Sequence, residues 1–303
     1  MRRDPVADLL QRHGTIVLDG GLATELERSG HDLHDPLWSA RALVEDPDAI
    51  REVHAAYFAA GADVAISASY QATFEGFAGR GIDGSKAASL MRRSVELARE
   101  AAGGDRLVAA SVGPYGAMLG NGAEYTGDYD RDEDALVEFH VPRMEALAAA
   151  EPDLFAVETI PSIVEAAALA RALEKVPEVP AWVSFSCRDG THICDGTPID
   201  QAVRTVANAP TVVAVGINCT PPLHVESLVE TVSDTTDRPV VCYPNRGSFW
   251  DPMRKAWTDP PRQDARPPLR PLDWKRAGAS LIGGCCGTTP QDIAAAAEAL
   301  GRT

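Results

Sequence analysis

Short runs of β-branched and apolar residues alternate with helical segments along almost the whole chain, and this alternation limits the possible folds more than any other feature. Each apolar run ends in small or polar residues, which is typical of strands buried on both faces of a parallel sheet. The pattern predicts strands at 15–21, 63–70, 106–114, 153–160, 180–187, 211–219, 239–245 and 279–287.

The segments between these strands carry the apolar spacing that indicates α-helices. Helices are predicted at 47–61, 84–104, 132–151, 162–176, 198–209, 222–234, 271–278 and 290–301. Eight strands alternating with helices favour a closed (β/α)8 barrel of the TIM type over an open doubly wound sheet. No G-x-G-x-x-G motif follows the first strand, which weakens a dinucleotide-binding alternative. Because no linker interrupts the composition, we expect residues 1–303 to form one domain.

The charge balance disfavours some classes of partner. The chain has 44 Asp and Glu against 28 Lys and Arg, for a net charge of -16. That sign argues against nucleic acid and anionic membrane surfaces, so small molecules are the expected partners. No apolar run is long enough to span a membrane, and the first residues lack the apolar core of a secretory signal. We therefore expect a cytoplasmic protein, and the sequence predicts no oligomeric state.

A barrel predicts where the chemistry lies, because the active sites of (β/α)8 enzymes form at the carboxyl ends of the strands. Cys219 ends the sixth predicted strand, and Cys285 and Cys286 stand side by side at the end of the eighth. The other residues at strand ends are Asp19, Gly20, Tyr70, Gly113, Pro114, Glu158, Cys187, Asn218, Tyr243 and Asn245.

The three cysteines at strand ends suit a metal better than a disulfide. Six scattered cysteines without an export signal indicate reduced thiols, and adjacent cysteines pair poorly with each other. Cys219, Cys285 and Cys286 can bind Zn²⁺ and leave the fourth tetrahedral position open, as catalytic zinc sites do. Three thiolates give such a centre a net charge of about -1, which suits activation of a substrate thiol better than hydrolysis. The expected reaction is alkyl transfer onto sulfur.

Less specific interpretations remain for several of these residues. The three cysteines can be inert buried thiols. Cys242 falls within a strand and is expected in the core, whereas Cys187 and Cys194 flank a turn and are expected to be structural. Asp19 can close a turn, and Glu158 can form a structural ion pair, although we favour substrate contact for both.

Two connections at the same rim are unusually long, at 115–130 and 246–270. Structureless connections of this length are commonly functional, and these contain aromatic residues and prolines. We expect both to act as lids.

Seven motifs resemble the homocysteine S-methyltransferase family, in the same order along the chain. They are DGGLATELE at 19–27, PLWSARAL at 36–43, ASYQAT at 68–73, SVGPYGA at 111–117, ETIPS at 158–162, INCTPP at 217–222 and GGCCGTTP at 283–290. INC together with GGCCG is the specific part of the match. The resemblance implies a zinc-dependent (β/α)8 barrel that methylates homocysteine to methionine, and it is nearest to the branch that uses S-methylmethionine or S-adenosylmethionine.

The resemblance also assigns residues. It implies that Cys219, Cys285 and Cys286 bind zinc, and that Asp19 and Glu158 hold the homocysteine ammonium group. The further substrate-binding candidates at the same rim are Gly20, Trp38, Tyr70 and Asn218. The only activated group expected is the substrate thiolate on zinc, with no separate catalytic side chain.

One tract departs from the family pattern and leaves the methyl donor open. YPNRGSFWD has Arg246 and Ser248 where similar enzymes commonly have Ser and Glu. The alternatives are betaine as donor, selenocysteine or another small thiol as acceptor, a zinc-dependent lyase or aldolase, and a non-enzymatic zinc or redox sensor. A hydrolase has no support, since neither a Ser-His-Asp order nor a G-x-S-x-G motif occurs.

Overall fold

The fold is described from a computed structural model, which covers residues 4–31, 39–104, 106–247, 250–251, 256–257 and 267–302. Ten strands occur in these residues. They are β1 (Ile16–Val17), β2 (Val64–Ile66), β3 (Leu107–Val112), β4 (Leu154–Ile160), β5 (Ala181–Phe185), β6 (Val212–Asn218), β7 (Val240–Tyr243), β8 (Trp250–Asp251), β9 (Ala256–Trp257) and β10 (Ala279–Ile282).

Eight of the strands form the predicted barrel. They are all parallel and lie in the order β1-β10-β7-β6-β5-β4-β3-β2, while β8 and β9 form a separate antiparallel pair. A parallel bridge between Leu18 and Val64 joins β1 to β2 and closes the ring. The expected (β/α)8 architecture is therefore confirmed.

Thirteen α-helices lie in the described part of the chain. They are α1 (Pro5–His13), α2 (Leu22–Arg28), α3 (Ser39–Glu45), α4 (Pro47–Ala59), α5 (Phe74–Ala78), α6 (Gly84–Ala101), α7 (Tyr115–Leu119), α8 (Glu133–Ala148), α9 (Ile163–Lys175), α10 (Ile199–Ala207), α11 (Pro222–Thr235), α12 (Pro271–Arg276) and α13 (Pro290–Ala299). The predicted helices correspond to α4, α6 and α8 to α13, whereas α1, α2, α3, α5 and α7 were not predicted.

Capping side chains explain why the long helices begin where they do. Asp83, Asp132 and Ser162 each accept a hydrogen bond from a backbone N–H in the first turn of the helix that follows. Thr289 and Asp292 form a reciprocal capping box at α13. This last cap fixes the chain directly after the two adjacent cysteines.

The strands separate two packed layers. Side chains including Ile16, Leu18, Trp182 and Leu281 fill the barrel interior, and Val6 and Leu9 of α1 pack against this cluster. A larger cluster lies between the outer face of the strands and the helices, and it contains the fully buried Cys242. The expected core position of Cys242 is confirmed.

One of the two long connections differs from the expectation. Residues 115–130 are not structureless, because they hold α7 and a 3₁₀ turn at Ala123–Tyr125. Most of 246–270 lies outside the described residues, as do Trp38 and Ser248. No helix in the described part of the chain is long and apolar enough to cross a membrane.

Candidate active site

Three thiols meet at the carboxyl end of the barrel. Cys219 follows β6, and Cys285 and Cys286 follow β10; their sulfur atoms all lie within 4.8 Å of one another. The Sγ atoms of Cys219 and Cys286 are 3.6 Å apart. All three cysteines are free thiols.

The backbone around these thiols is held by contacts that leave little freedom. Cys219 adopts a left-handed conformation with φ 46°, which a non-glycine residue rarely takes. Its carbonyl accepts a hydrogen bond from Asn245 Nδ2 at 3.1 Å, and the Cys285 N–H donates to the Pro244 carbonyl at 2.8 Å. A Cβ on Gly284 would lie 2.5 Å from the Thr288 side chain, so the tract before the cysteines requires glycine there.

Arg246, one of the residues that departs from the family pattern, supports the same tract. Its N–H donates to the Cys286 carbonyl at 3.0 Å. Its guanidinium lies 3.4 Å from Asp292 at the start of α13. Arg246 therefore links Cys286 to the helix cap that follows it.

The thiols together provide a site for a soft metal ion. Hydrogen bonds from the thiols of Cys285 and Cys286 lower the pKa of Cys219 well below its usual range. Their interaction with that thiolate is the largest cause of the raised pKa of Cys285 and of Cys286. Two sulfurs bound tetrahedrally to one zinc ion lie about 3.8 Å apart, which matches the observed spacing. The donor set fits a zinc ion with three thiolate ligands.

Two buried carboxylates, Asp19 after β1 and Glu158 in β4, lie at the same end of the barrel as the thiols. Asp19 is 1% exposed; its Oδ2 accepts from the Ile66 N–H at 2.8 Å, and its Oδ1 has no hydrogen-bond partner within the described ranges. Burial, followed by the nearby negative charge of Glu158, raises the pKa of Asp19 well above its usual range. Such a pair is complementary to a bound cation.

Glu158, at the end of β4, has two hydroxyl partners. Ser111 Oγ donates to its Oε1, and the Tyr243 hydroxyl also bonds to the carboxylate. Burial raises the pKa of Glu158 to about 7, hydrogen bonds from Ser111 and Tyr243 oppose the shift, and the charge of Cys219 adds to it. No ion pair joins Glu158 to a basic residue among the described side chains, so the structural ion-pair alternative has no partner there.

Asn218, expected to contact substrate, is fully buried and holds the residue after Glu158. Its Oδ1 accepts from the Thr159 N–H and its Nδ2 donates to Thr159 Oγ1, both at 2.7 Å. Ser184 Oγ also donates to Asn218 Oδ1, at 2.9 Å. These bonds indicate that the Asn218 side chain positions the end of β4.

Tyr70 and Gly20 also lie at this rim. Burial is the largest cause of the raised pKa of Tyr70, and the charges of Glu124, Cys219 and Glu158 add to it, while a bond to Thr159 opposes it. A Cβ on Gly20 would lie 2.7 Å from the Tyr57 ring, so this glycine is needed for packing.

Cys187 and Cys194 stand outside the cluster of three thiols. The Cys187 N–H donates to Thr220 Oγ1 at 3.0 Å, and Cys194 Sγ contacts Ser186 Oγ at 3.4 Å. Burial raises the pKa of both thiols. These contacts agree with the structural role expected for them.

Glu124 and Tyr125, which were not among the predicted site residues, reach the thiols from the connection between β3 and α8. The Tyr125 hydroxyl is 3.2 Å from Cys219 Sγ. Glu124 Oε2 is buried and has no hydrogen-bond partner among the side chains and backbone that the structure describes, and burial raises the pKa of this carboxyl to about 7. The sequence marked the 115–130 connection as functional, but it gave no signal for these two residues.

Comparisons with known proteins agree with this geometry. A family model described as homocysteine S-methyltransferase matches residues 16–300. Homocysteine S-methyltransferase YbgG of Bacillus subtilis (strain 168) is 47% identical over 315 residues, covering 99% of this chain and 100% of its own. The chain belongs to the homocysteine S-methyltransferase family. The expected class of enzyme, a thiol methyltransferase, is thereby confirmed.

Two further similar proteins are relevant, one because its name gives a different acceptor and the other because its structure is of a metallated form. Selenocysteine Se-methyltransferase of Brassica oleracea var. italica is 43% identical over 308 residues, which is 95% of this chain and 89% of that protein. The metallated form of the homocysteine methyltransferase MmuM from Escherichia coli has a TM-score of 0.86 and 45% identity, covering 98% of this chain and 100% of that one.

Proposed function

We propose that this methyltransferase moves a methyl group from a sulfonium donor, S-methylmethionine or S-adenosylmethionine, to the thiol of L-homocysteine and so forms methionine. The observation that supports this most is the group of three thiols at the same barrel rim as two buried carboxylates that lack basic partners among the described residues. An amino acid with a thiol and an ammonium group complements both features.

Cys219, Cys285 and Cys286 would hold a zinc ion. A zinc ion held by these three residues would supply a coordination position for a substrate sulfur and would favour its thiolate form at neutral pH. The chain itself keeps the three thiols together through the tight turn at Gly284 and the bonds from Asn245 and Arg246.

Asp19 and Glu158 would bind the homocysteine ammonium group. Asp19 Oδ1 is buried and lacks a partner in the described part of the chain, and the pKa values of both carboxyls are raised, so a bound cation would stabilise their ionised forms. Asn218 would act through Thr159 to orient Glu158, and Tyr70 would line the same pocket. Trp38 and Gly20 remain candidates for substrate contact.

Methyl transfer depends on how the two reactants are positioned and requires no proton transfer to the leaving group. The acceptor sulfur forms a bond to the methyl carbon while the carbon–sulfur bond of the donor breaks, and its electron pair returns to the donor sulfur. The donor leaves as a neutral thioether, so no general acid is required. Orientation of the two reactants then supplies most of the rate enhancement.

A second acceptor deserves a test because of one relative. The similarity to a selenocysteine Se-methyltransferase makes selenocysteine an alternative acceptor. Sulfur and selenium differ too little in size for a pocket to discriminate strongly between them. We further propose that residues 1–303 form one homocysteine-binding domain acting in the cytoplasm.

Methionine formation by purified protein of known zinc content tests this function. Homocysteine and selenocysteine would be offered in parallel with S-methylmethionine, S-adenosylmethionine and betaine. Turnover with homocysteine and a sulfonium donor is expected. Turnover with betaine alone, or no turnover by zinc-loaded protein, would contradict the proposal.

A further inference from the structure

The connection between β3 and α8 is folded tightly over the thiols. A Cβ on Gly116 would lie 2.6 Å from the Glu124 nitrogen, so the two halves of the connection are in close contact. The Tyr115 N–H donates to Glu165 Oε1 at 2.6 Å, and the Tyr129 hydroxyl donates to the other oxygen of the same carboxylate. One buried carboxylate of α9 therefore holds both ends of the segment.

Further bonds fix the middle of this segment against the barrel. Ser186 Oγ donates to the Glu124 carbonyl at 2.9 Å, and Gln71 Nε2 donates to the Ala117 carbonyl at 2.8 Å. The Tyr125 hydroxyl, next to Glu124, is 3.2 Å from Cys219 Sγ. Glu124 is thus held near the thiols by a fixed backbone.

No basic side chain in the described part of the chain forms an ion pair with the carboxylate of Glu124. Its Oε2 is buried and lacks a hydrogen-bond partner among the described residues. The two influences that oppose its ionisation are burial and the negative charge of Cys219. A carboxylate oxygen that is buried without a partner is costly, so Oε2 near the thiols points to a ligand that supplies a positive charge.

Glu124 is separate from the carboxylate pair proposed for the homocysteine ammonium. Asp19 follows β1 and Glu158 lies in β4, whereas Glu124 lies in the 3₁₀ turn Ala123–Tyr125 of the connection after β3. Cys219 acts on both Glu158 and Glu124. Acidic groups on separate elements therefore lie near the thiols, as expected if the ammonium group of the acceptor and the sulfonium group of the donor bind at different places.

We propose that Glu124 binds the positive charge of the methyl donor and makes the enzyme selective for sulfonium compounds. This rests on the proposed function and specifies its donor subsite. The positive charge disappears from the donor sulfur as the methyl group leaves. Glu124 therefore stabilises the reactant more than the transition state, and it contributes to donor binding rather than to the rate of transfer. The neutral thioether product loses the attraction, which favours its release.

The test compares two molecules of the same shape that differ in charge. They are S-methyl-L-methionine and its neutral carbon isostere, L-2-amino-5-methylhexanoic acid, used with zinc-loaded enzyme and saturating homocysteine. For the wild type, KM of the sulfonium should be at least about tenfold lower than Ki of the isostere. Glu124→Gln should raise KM by about tenfold or more, with Ki and kcat changed much less.

Controls separate donor recognition from loss of structure. Glu124→Asp keeps the charge, so it should keep the preference for the sulfonium even if both molecules bind more weakly. Asp128→Asn changes an exposed carboxylate of the same segment and should leave the preference unchanged. Homocysteine affinity and zinc content should match the wild type in all three variants.

The outcomes distinguish this inference from the proposed function. The role of Glu124 would be overturned if Glu124→Gln had the same ratio as the wild type between Ki of the isostere and KM of the sulfonium. A parallel loss of zinc or homocysteine binding in this variant would also overturn it. If the wild type turns over no sulfonium donor, the proposed function fails first. Calorimetric binding of the two molecules to zinc-loaded protein would then still show whether Glu124 recognises the charge.

Discussion

Asn218 and Thr159 are 59 residues apart in sequence and hold each other through two hydrogen bonds, each 2.7 Å long. Thr159 has a φ of 62°, a left-handed conformation that costs about 1–2 kcal/mol in a non-glycine residue. The bonds from Asn218 offset this cost and fix the backbone next to Glu158. The conformation of one strand end is thus set by a side chain of another.

Asn218→Ala should therefore weaken both the fold and the substrate site. The Thr159 N–H would lose its buried acceptor, so we expect the free energy of unfolding to fall by about 1–3 kcal/mol. Misplacement of Glu158 should raise KM for homocysteine about tenfold or more, with zinc content retained. Denaturant unfolding and steady-state kinetics measure the two effects. Asn208→Ala, at an exposed helix end, is the matched control, and equal kinetics for both variants would count against a positioning role.

Cys286→Ala should remove the metal while keeping the barrel. Its sulfur contacts Cys219, and the remaining two thiols provide an incomplete donor set. We expect zinc per chain to fall toward zero, and methyl transfer to fall by more than about a hundredfold. Metal analysis and circular dichroism provide the measurements. Cys242→Ala changes a core cysteine and should keep the zinc, so loss of metal from both variants would indicate a general defect.

The sequence predicted the barrel well because each strand and most of the long helices carry their own periodic signal. The proximity of Cys219, Cys285 and Cys286 could also be predicted, because a barrel places the carboxyl ends of all its strands on one rim. Short helices such as α1 were missed, although Asp4, Pro5 and Gly14 supply recognisable start and stop signals.

Other parts of the site could not be predicted from local pattern. Arg143 and Glu165 lie in helices, where charged residues are usually exposed. Both are buried at 1% and 0% exposure, and Arg143 donates to the Gly113 and Tyr70 carbonyls at 2.9 and 3.1 Å. Their partners are distant in sequence, so only tertiary packing shows that they hold the rim in place.

Glu158→Gln should make the metal-free, substrate-free protein more stable at neutral and alkaline pH. A carboxyl whose pKa is about 7 when folded and 4.5 when unfolded holds its proton more tightly in the folded chain. The wild type therefore loses unfolding free energy as pH rises from about 4.5 to above 7. The variant, which has no proton to lose, should gain about 3 kcal/mol relative to wild type at pH 8 and little at pH 4.5.

The same substitution should lower homocysteine affinity, because the amide cannot balance an ammonium group. Urea unfolding at several pH values and calorimetry with homocysteine give the two readouts. Glu138→Gln on the exposed face of α8 serves as the control. A stability difference that does not change with pH would mean that the buried carboxylate of Glu158 does not lose a proton in this range.

Tyr129→Phe should loosen the segment that carries Glu124 without touching the thiols. Its hydroxyl donates to Glu165, a carboxylate that is 0% exposed and also accepts from the Tyr115 N–H and His140 Nε2. Loss of one donor should lower the free energy of unfolding by about 1–3 kcal/mol. Hydrogen exchange of the amides at 116–126 should become faster, and KM for the donor should rise more than KM for homocysteine. Tyr115→Phe removes a hydroxyl that accepts a hydrogen bond from Arg131 Nε at 3.0 Å, and equal exchange in the two variants would exclude the Tyr129 hydroxyl as the group that holds the segment.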